Sequence, residues 1–318
     1  MGFYKVWILH LGRRYGILQF LSKMTGPMPV AEISRTLFLS EQAVTLWCDA
    51  AYSVGLVKRE GAGYVLPRRL VPLFVDENDI RFIGGLPSYL ALRSLDFEHF
   101  DQFFRKGQIT KVQTHAGEAF MEGTLWDHIA FLKLILPKEI KLQRLLCTGV
   151  RVIDVGAGSG GWSIKMAGLY PNSSFLGIDP DSSAITRATL RAAGLGLTNA
   201  KFSVIGANEA EYPKGFDLAY IGEVLYLVRE RMKILQSCYA ALRKGGLLVV
   251  CEGFTDRGPG ARRSEDQLVH SMQLDFALQG GMFFTKEELA KLLSMTGFTG
   301  TRFHNVGGGL WFAIAHKK

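Results

Sequence analysis

The sequence predicts an α/β protein: a C-terminal half of alternating strands and helices, preceded by a helical domain built around a winged helix. Three observations predict it. The first is the stretch from Val150 to Ser163. Its β-branched run, Val150, Val152, Ile153 and Val155, has the look of a strand buried on both faces. It runs into Gly156, Gly158, Gly160 and Gly161, and from Trp162 the apolar spacing turns helical. The second is the recurrence of short apolar strands between helical segments, at residues 174–178, 202–205, 217–221 and 247–251. The third is the closing pair, Thr301–Asn305 and Leu310–Ala315, joined through Gly307–Gly309. So short a link makes only an antiparallel pair.

The glycine turn carries the chemistry. Strand, glycines and helix bring a backbone close to a nucleotide-like ligand, and a Cβ at the turn would block that approach. Gly156, Gly158 and Gly161 satisfy the spacing G-x-G-x-x-G, which alone is a weak signal. Context strengthens it. Asp154 lies two residues before the first glycine, and the next strand ends at Asp179. A carboxylate there can accept two hydrogen bonds from ribose hydroxyls.

These residues, with Phe175–Asp179, Phe216–Tyr220 and Leu242–Val250, resemble the class I S-adenosylmethionine-dependent methyltransferases. The segment Leu242-Arg-Lys-Gly-Gly246 is close to that family's Leu-x-Pro-Gly-Gly, with Lys244 in place of proline. The resemblance implies a Rossmann-like, mostly parallel seven-stranded sheet with an antiparallel last strand. It implies S-adenosylmethionine as cofactor, held by Asp154, Gly156, Ala157, Gly158, Asp179, Pro180, Asn208, Glu209 and Glu223. Relatives often place an acid after the glycine that closes the third strand. Ala207 stands there, so the side-chain oxygen of Asn208 is the candidate adenine contact.

The N-terminal elements follow in order. Tyr4, Trp7, Ile8, Leu11, Tyr15, Leu18 and Leu21 fall at helical spacing, and a stripe that large needs covering by its own domain or a second subunit. Gly26-Pro-Met-Pro29 ends that element. Residues 30–66 read as a winged helix-turn-helix: a helix over 30–37, a helix over 41–53 capped by Ser40, and a hairpin turning at Gly61–Gly63. The second helix carries two acids and no Lys or Arg. Phosphate contacts carry much of DNA affinity, so a dimerisation or lid role is the preferred reading. Apolar helical patterns over 90–104 and 120–136 suggest a connector. The expected domains are therefore a winged-helix module over 1–75, a helical connector and lid over 76–148, and the cofactor-binding domain over 149–318. The whole arrangement resembles small-molecule O-methyltransferases that dimerise through an N-terminal part, which implies a homodimer.

Composition sets bounds. Hydrophobic residues make up 48% and charged residues 21% of the 318, as in ordinary globular proteins. There is no apolar run of about 20 residues to span a membrane. The net charge of +8 comes without a long basic block and reads as a solvated surface. Four scattered cysteines form no C-x-x-C pair, which favours a reducing, cytoplasmic setting and neither a zinc site nor disulfides.

Methyl transfer is an in-line displacement, so the protein must align donor and acceptor and exclude water. The O-methyltransferase relatives usually carry a histidine after the fourth strand; here Tyr226 stands about there. Tyrosine, with an ordinary pKa of about 10, is a poor base at neutral pH. Candidates for the acceptor-side group are Glu223, Tyr226 and His270, with His128 on the connector. Phe120, Trp126, Met272, Phe276 and Met282 are candidates for the acceptor pocket, although each serves equally well as plain core. No histidine pair shows metal-ligand spacing, so no metal is expected. The expected function is methyl transfer to oxygen or carbon of a small, apolar or aromatic acceptor. Two alternatives stand beside it: a ligand-sensing DNA-binding regulator on a degenerate methyltransferase domain, and a methyltransferase of protein or RNA. The signatures of nucleic-acid base methylation are absent after the fourth strand.

Overall fold

The structure is a computed structural model that describes residues 2–109, 114–206, 212–255 and 264–318. It divides into two compact units, Met1–Asp96 with Glu118–Ile129, and Phe97–Gly117 with Ala130–Lys318.

The first unit opens with α1 (Gly2–Arg14) and α2 (Ile17–Lys23). The apolar stripe over residues 4–21 suggested one helix, but Gly16 takes a left-handed φ of 73° and breaks it. Leu18 and Leu21 are buried while Phe3, Tyr4 and Tyr15 stay exposed. The winged helix follows: β1 (Met28–Pro29), α3 (Val30–Leu37), α4 (Glu41–Ser53), β2 (Lys58–Glu60) and β3 (Gly63–Val65). The strands lie in the order β1-β3-β2, all antiparallel. Ser40 caps α4 by accepting the Ala43 amide at 3.4 Å. Ile33, Val44, Trp47, Cys48, Leu56 and Leu66 form the core, and the Trp47 indole donates to the Ile8 carbonyl at 2.9 Å. Asp49, one of the two acids on α4, accepts the Tyr64 hydroxyl of the wing at 2.7 Å. Then come α5 (Val71–Phe74), α6 (Gly85–Ser94), α7 (Phe100–Lys106), α8 (Ala116–Gly123) and α9 (Leu125–Ala130), α7 belonging to the second unit.

Residues 120–136, which read as one helical stretch, are α8, α9 and a π-helical turn at Phe131–Ile135. The second unit continues with α10 (Ile140–Thr148) and then the sheet. Its strands are β4 (Arg151–Val155), β5 (Ser174–Asp179), β6 (Ala200–Val204), β7 (Phe216–Gly222), β8 (Leu242–Gly253), β9 (Phe298–Gly307) and β10 (Leu310–Lys317). They lie in the order β6-β5-β4-β7-β8-β10-β9. The first five in that order are parallel, and β10 is antiparallel to both β8 and β9, as the family resemblance implied. The helices are α11 (Gly161–Leu169), α12 (Ser182–Gly194), α13 (Arg231–Ala241), α14 (Ser264–Ala277) and α15 (Lys286–Thr296). The expected capping box forms: Thr285 accepts the Glu288 amide at 3.1 Å and Glu288 accepts the Thr285 amide at 2.7 Å.

Aromatic packing centres the core of this unit. Trp162 stacks flat on Tyr220, centroids 3.9 Å apart, and Phe131 meets both rings edge-on. From β4 the chain builds outward to β5 and β6, then returns to the other side of β4 with β7 and β8. The order therefore reverses between β4 and β7. In open α/β sheets, ligands bind beyond the carboxyl ends of the strands at such a reversal. Val155 pairs with Ile178 and Ile221, and Gly222 with Cys251. Asp179, Gly156, Glu223 and Glu252 thus emerge side by side at that edge.

Candidate functional site

The glycine turn is held by its neighbours' backbones. The Gly156 and Ala157 amides both donate to the Ile178 carbonyl, at 2.8 and 3.0 Å. The Gly158 amide donates to one Asp179 oxygen and the Asp181 amide to the other, each at 2.9 Å. Gly156, Gly158 and Gly160 all have positive φ, 76°, 52° and 74°. A Cβ at Gly156 would overlap the Val224 side chain, and one at Gly160 would lie 2.7 Å from the Phe202 ring. At Gly158 a Cβ would meet nothing within 4 Å, so that side of the turn is open. Ala157 keeps its small side chain against Gly177, and Pro180 is exposed. Burial raises the pKa of Asp179, and the Asp181 and Gly158 amides oppose that shift. Each Asp179 oxygen accepts one N–H and retains lone pairs for a diol. An open cradle beside such a carboxylate fits an adenosyl ligand. Ala207 and Asn208, at the position expected to meet the adenine, and the cofactor candidate Glu209 lie outside the described residues.

Asp154 sits beneath the turn, 3% exposed, and accepts the Ser163 hydroxyl at 2.7 Å. It braces β4 against the first turn of α11. Burial pushes its carboxyl up to about 7, and burial pushes Glu223 up to about 8. The folded chain therefore holds protons that the unfolded chain releases near pH 4. Stability from these groups is full below that pH and is lost as pH rises through 7 to 8. The unliganded protein should melt at progressively lower temperature between pH 5 and about 8.5, and Asp154→Asn should flatten the part below 7. A wild-type melting temperature that rises over this range contradicts the assignment.

Glu223 follows β7 with φ 57°, a left-handed backbone uncommon outside glycine. Its amide donates to the Cys251 carbonyl at 2.9 Å. The next two amides, Val224 and Leu225, both donate to the fully buried Glu252, at 2.9 and 2.6 Å. The Tyr226 hydroxyl bonds the Glu223 carboxyl. Tyr226 itself is 2% exposed and stacks on Phe276, centroids 4.5 Å apart, with Phe283 at 5.2 Å. Arg231 ties this turn to the 281–284 segment, donating to the Leu225 carbonyl at 2.8 Å and the Met282 carbonyl at 2.6 Å. The Met282 amide returns a bond to the Tyr226 carbonyl at 2.7 Å.

The remaining candidates fall as follows. Phe276 is 1% exposed and packs as core beneath Tyr226, whereas the Met282 residue is 61% exposed and contributes its backbone. Met272 and His270 are half-buried on α14. Phe120, Trp126 and His128 belong to the first unit: Phe120 lies against Tyr89 and under Arg93, Trp126 donates to the Ile80 carbonyl at 3.2 Å, and His128 is buried. Sequence reasoning missed Glu252, Arg231 and Ser163. An acid inside an apolar strand, at Glu252, was the available signal; no spacing rule points to the other two.

Residues 147–300 match the family model described as Methyltransferase domain. Methyltransferase str2 of Strobilurus tenacellus is 29% identical over 135 residues, 39% of this chain and 46% of that protein. Ribosomal RNA small subunit methyltransferase G of Trichormus variabilis is 29% identical over 136 residues, 43% of this chain and 54% of that protein. The chain spans about half the length of these curated relatives. Among solved structures, human N-acetylserotonin methyltransferase in complex with SAM shares the fold at a TM-score of 0.70, with 19% identity, covering 99% of this chain and 94% of that one. The mitomycin 7-O-methyltransferase MmcR matches at 0.66, with 17% identity, covering 100% and 95%. Residues 147–300 thus match a methyltransferase domain, and the structures that share the fold include one with S-adenosylmethionine bound. The chain as a whole has the fold of the O-methyltransferase structures.

Proposed function

We propose that this protein transfers a methyl group from S-adenosylmethionine to oxygen or carbon of a small, apolar or aromatic acceptor. One observation carries the reading: the Asp179 carboxylate bonded to the Gly158 amide, beside an open turn at the sheet's reversal point. When bound, the cofactor supplies a methyl group on a positively charged sulfur. Gly156, Ala157 and Gly158 bring backbone to it, Asp179 accepts the ribose hydroxyls, Asn208 serves the adenine, and Glu209 is a further cofactor contact. Asp154 and Pro180 shape the turn. On the acceptor side, Glu223 takes a proton where the acceptor has one to lose, and Tyr226 orients it by the hydroxyl bond between them. His270, on α14, is the second titratable group available to an acceptor. Met272, Phe276 and Met282, all in the second unit, are assigned to the acceptor's surroundings.

The molecule acts as a homodimer in this reading, and the exposed Phe3 and Tyr4 on α1 support it. A cytoplasmic setting fits the four free cysteines, three of them buried. No helix among the described residues is long and apolar enough to cross a membrane. A regulator bound to DNA is not favoured, since α4 presents Glu41 and Asp49 and no Lys or Arg. The test uses S-adenosylmethionine tritiated on its methyl, offered to phenols and hydroxylated polycycles, to ribosomal RNA and to bulk protein. Label is expected in the small-molecule fraction. Label confined to RNA or protein overturns the small-acceptor reading.

A further inference from the structure

Two carboxylates at the sheet's reversal point, Glu223 and Glu252, are only half satisfied. Glu223 Oε1 and Glu252 Oε2 are both buried, and neither has a hydrogen-bond partner among the described residues. Their other partners are known: the Tyr226 hydroxyl for Glu223, the Val224 and Leu225 amides for Glu252 Oε1. No Lys or Arg among the described residues pairs with Glu223. Arg231 has spent its Nε and Nη2 on the carbonyls of Leu225 and Met282, and its guanidinium lies over the Phe284 ring at 4.3 Å. A buried, unpaired carboxylate either keeps its proton or awaits a cation.

The backbone fixes where that carboxylate is presented. β4 and β7 are paired in register up to Val155 and Ile221, so Gly156 leaves the sheet level with Gly222, the last residue of β7. Val224 packs against Gly156 so closely that a Cβ on the glycine would overlap it. The left-handed backbone at Glu223 is clamped from both sides, by its own amide on Cys251 and by Glu252 on the following two amides. Strain of this kind persists only where surrounding structure enforces it.

Resting on the proposed cofactor reading, we infer that Glu223 is the anionic partner of the cofactor's sulfonium, so that the site favours the charged methyl donor over its neutral demethylated product. Glu252 keeps its own proton on Oε2 and acts as the positioning residue that clamps the Glu223 turn. Burial raises both acids, and the neighbouring Glu223 carboxyl raises Glu252 further, so without a cation both hold protons at neutral pH; Glu223 gives its proton to solvent as the sulfonium enters, and the pair then carries one negative charge. When the methyl carbon bonds to the acceptor and the carbon–sulfur bond breaks, the electron pair stays on sulfur. The positive charge is gone, and the attraction that held the donor is gone with it. A charge-based preference of this kind loads substrate and releases product without any movement of the chain.

Isothermal titration of the full chain with S-adenosylmethionine, S-adenosylhomocysteine and sinefungin, whose amine supplies a cation without a transferable methyl, tests the inference. Wild type should bind both cationic ligands more tightly than S-adenosylhomocysteine. Glu223→Gln should weaken both by about tenfold or more while changing S-adenosylhomocysteine by less than about twofold. Glu252→Gln keeps the amide-accepting oxygen and should leave the ratios within about twofold of wild type. Equal weakening of all three ligands by Glu223→Gln, or unaltered ratios, overturns the inference and leaves the functional reading standing. A ratio that collapses in Glu252→Gln but not in Glu223→Gln puts the charge on the wrong residue and also overturns it. A wild-type chain that binds none of the three overturns the functional reading itself, and this inference with it.

Discussion

Gly156→Ala is expected to cost about 3 kcal/mol of stability and to reduce S-adenosylmethionine affinity about 100-fold. Two effects add. The backbone at Gly156 has φ 76°, where an L residue is strained. The new methyl also overlaps Val224, which Glu252 holds by its amide and which cannot retreat without breaking that bond. The turn would move off β5, and the amides of Gly156 and Ala157 would leave the Ile178 carbonyl. Gly158→Ala is the informative contrast. Its φ of 52° is mildly strained, but its Cβ meets no protein atom within 4 Å and points into the open cradle. It should lose cofactor affinity while keeping most of the stability. Urea unfolding and calorimetric titration of both variants separate the two effects. Equal stability losses in the two variants would contradict this account of the turn.

Trp162→Ala is expected to cost about 4 kcal/mol. The indole is stacked on Tyr220 at 3.9 Å, and meets Phe131 at 5.6 Å and Phe175 at 6.1 Å. Its removal leaves a cavity bordered by a strand on either side of the site and by the π-helical turn. The indole nitrogen has no partner among the described residues, so no hydrogen bond is lost and the cost is packing alone. Trp162→Phe, which keeps a ring in place, should cost about half as much. The readout is the shift in urea midpoint at constant slope. A loss below about 1 kcal/mol in the alanine variant would show that the cluster collapses to fill the space.

Much of the cofactor side was legible because its signals are local. The run from Val150 into Gly156, the acid ending the next strand and the box from Thr285 to Glu288 each depend on neighbours in sequence. The antiparallel closing pair was legible because three glycines leave no room for a crossover. What the sequence hid depends on distant partners. β1 is only two residues, Met28 and Pro29, and exists because Gly63 and Tyr64 lie beside it. The first helix breaks at Gly16, although the apolar spacing continues across the break. β8 starts at Leu242, ahead of the strand expected over 247–251, because Leu242 pairs with Phe216 across a register shift. Asp154 read as a cofactor contact by its distance from the first glycine. Its bond to Ser163 is set by how α11 packs on β4, which spacing does not encode. Tyr226 stands at the position the family resemblance marked for a histidine, and only the folded chain reveals that it is buried against Phe276 and bonded to Glu223.

The most direct test of the central claim is titration of S-adenosylmethionine into the wild-type chain and into Asp179→Ala, with melting curves of both proteins as a fold control. The account predicts one site per chain in wild type and at least about 100-fold weaker binding in a variant that still melts cooperatively. Equal affinity in a folded Asp179→Ala protein, or no heat of binding in wild type, would contradict it.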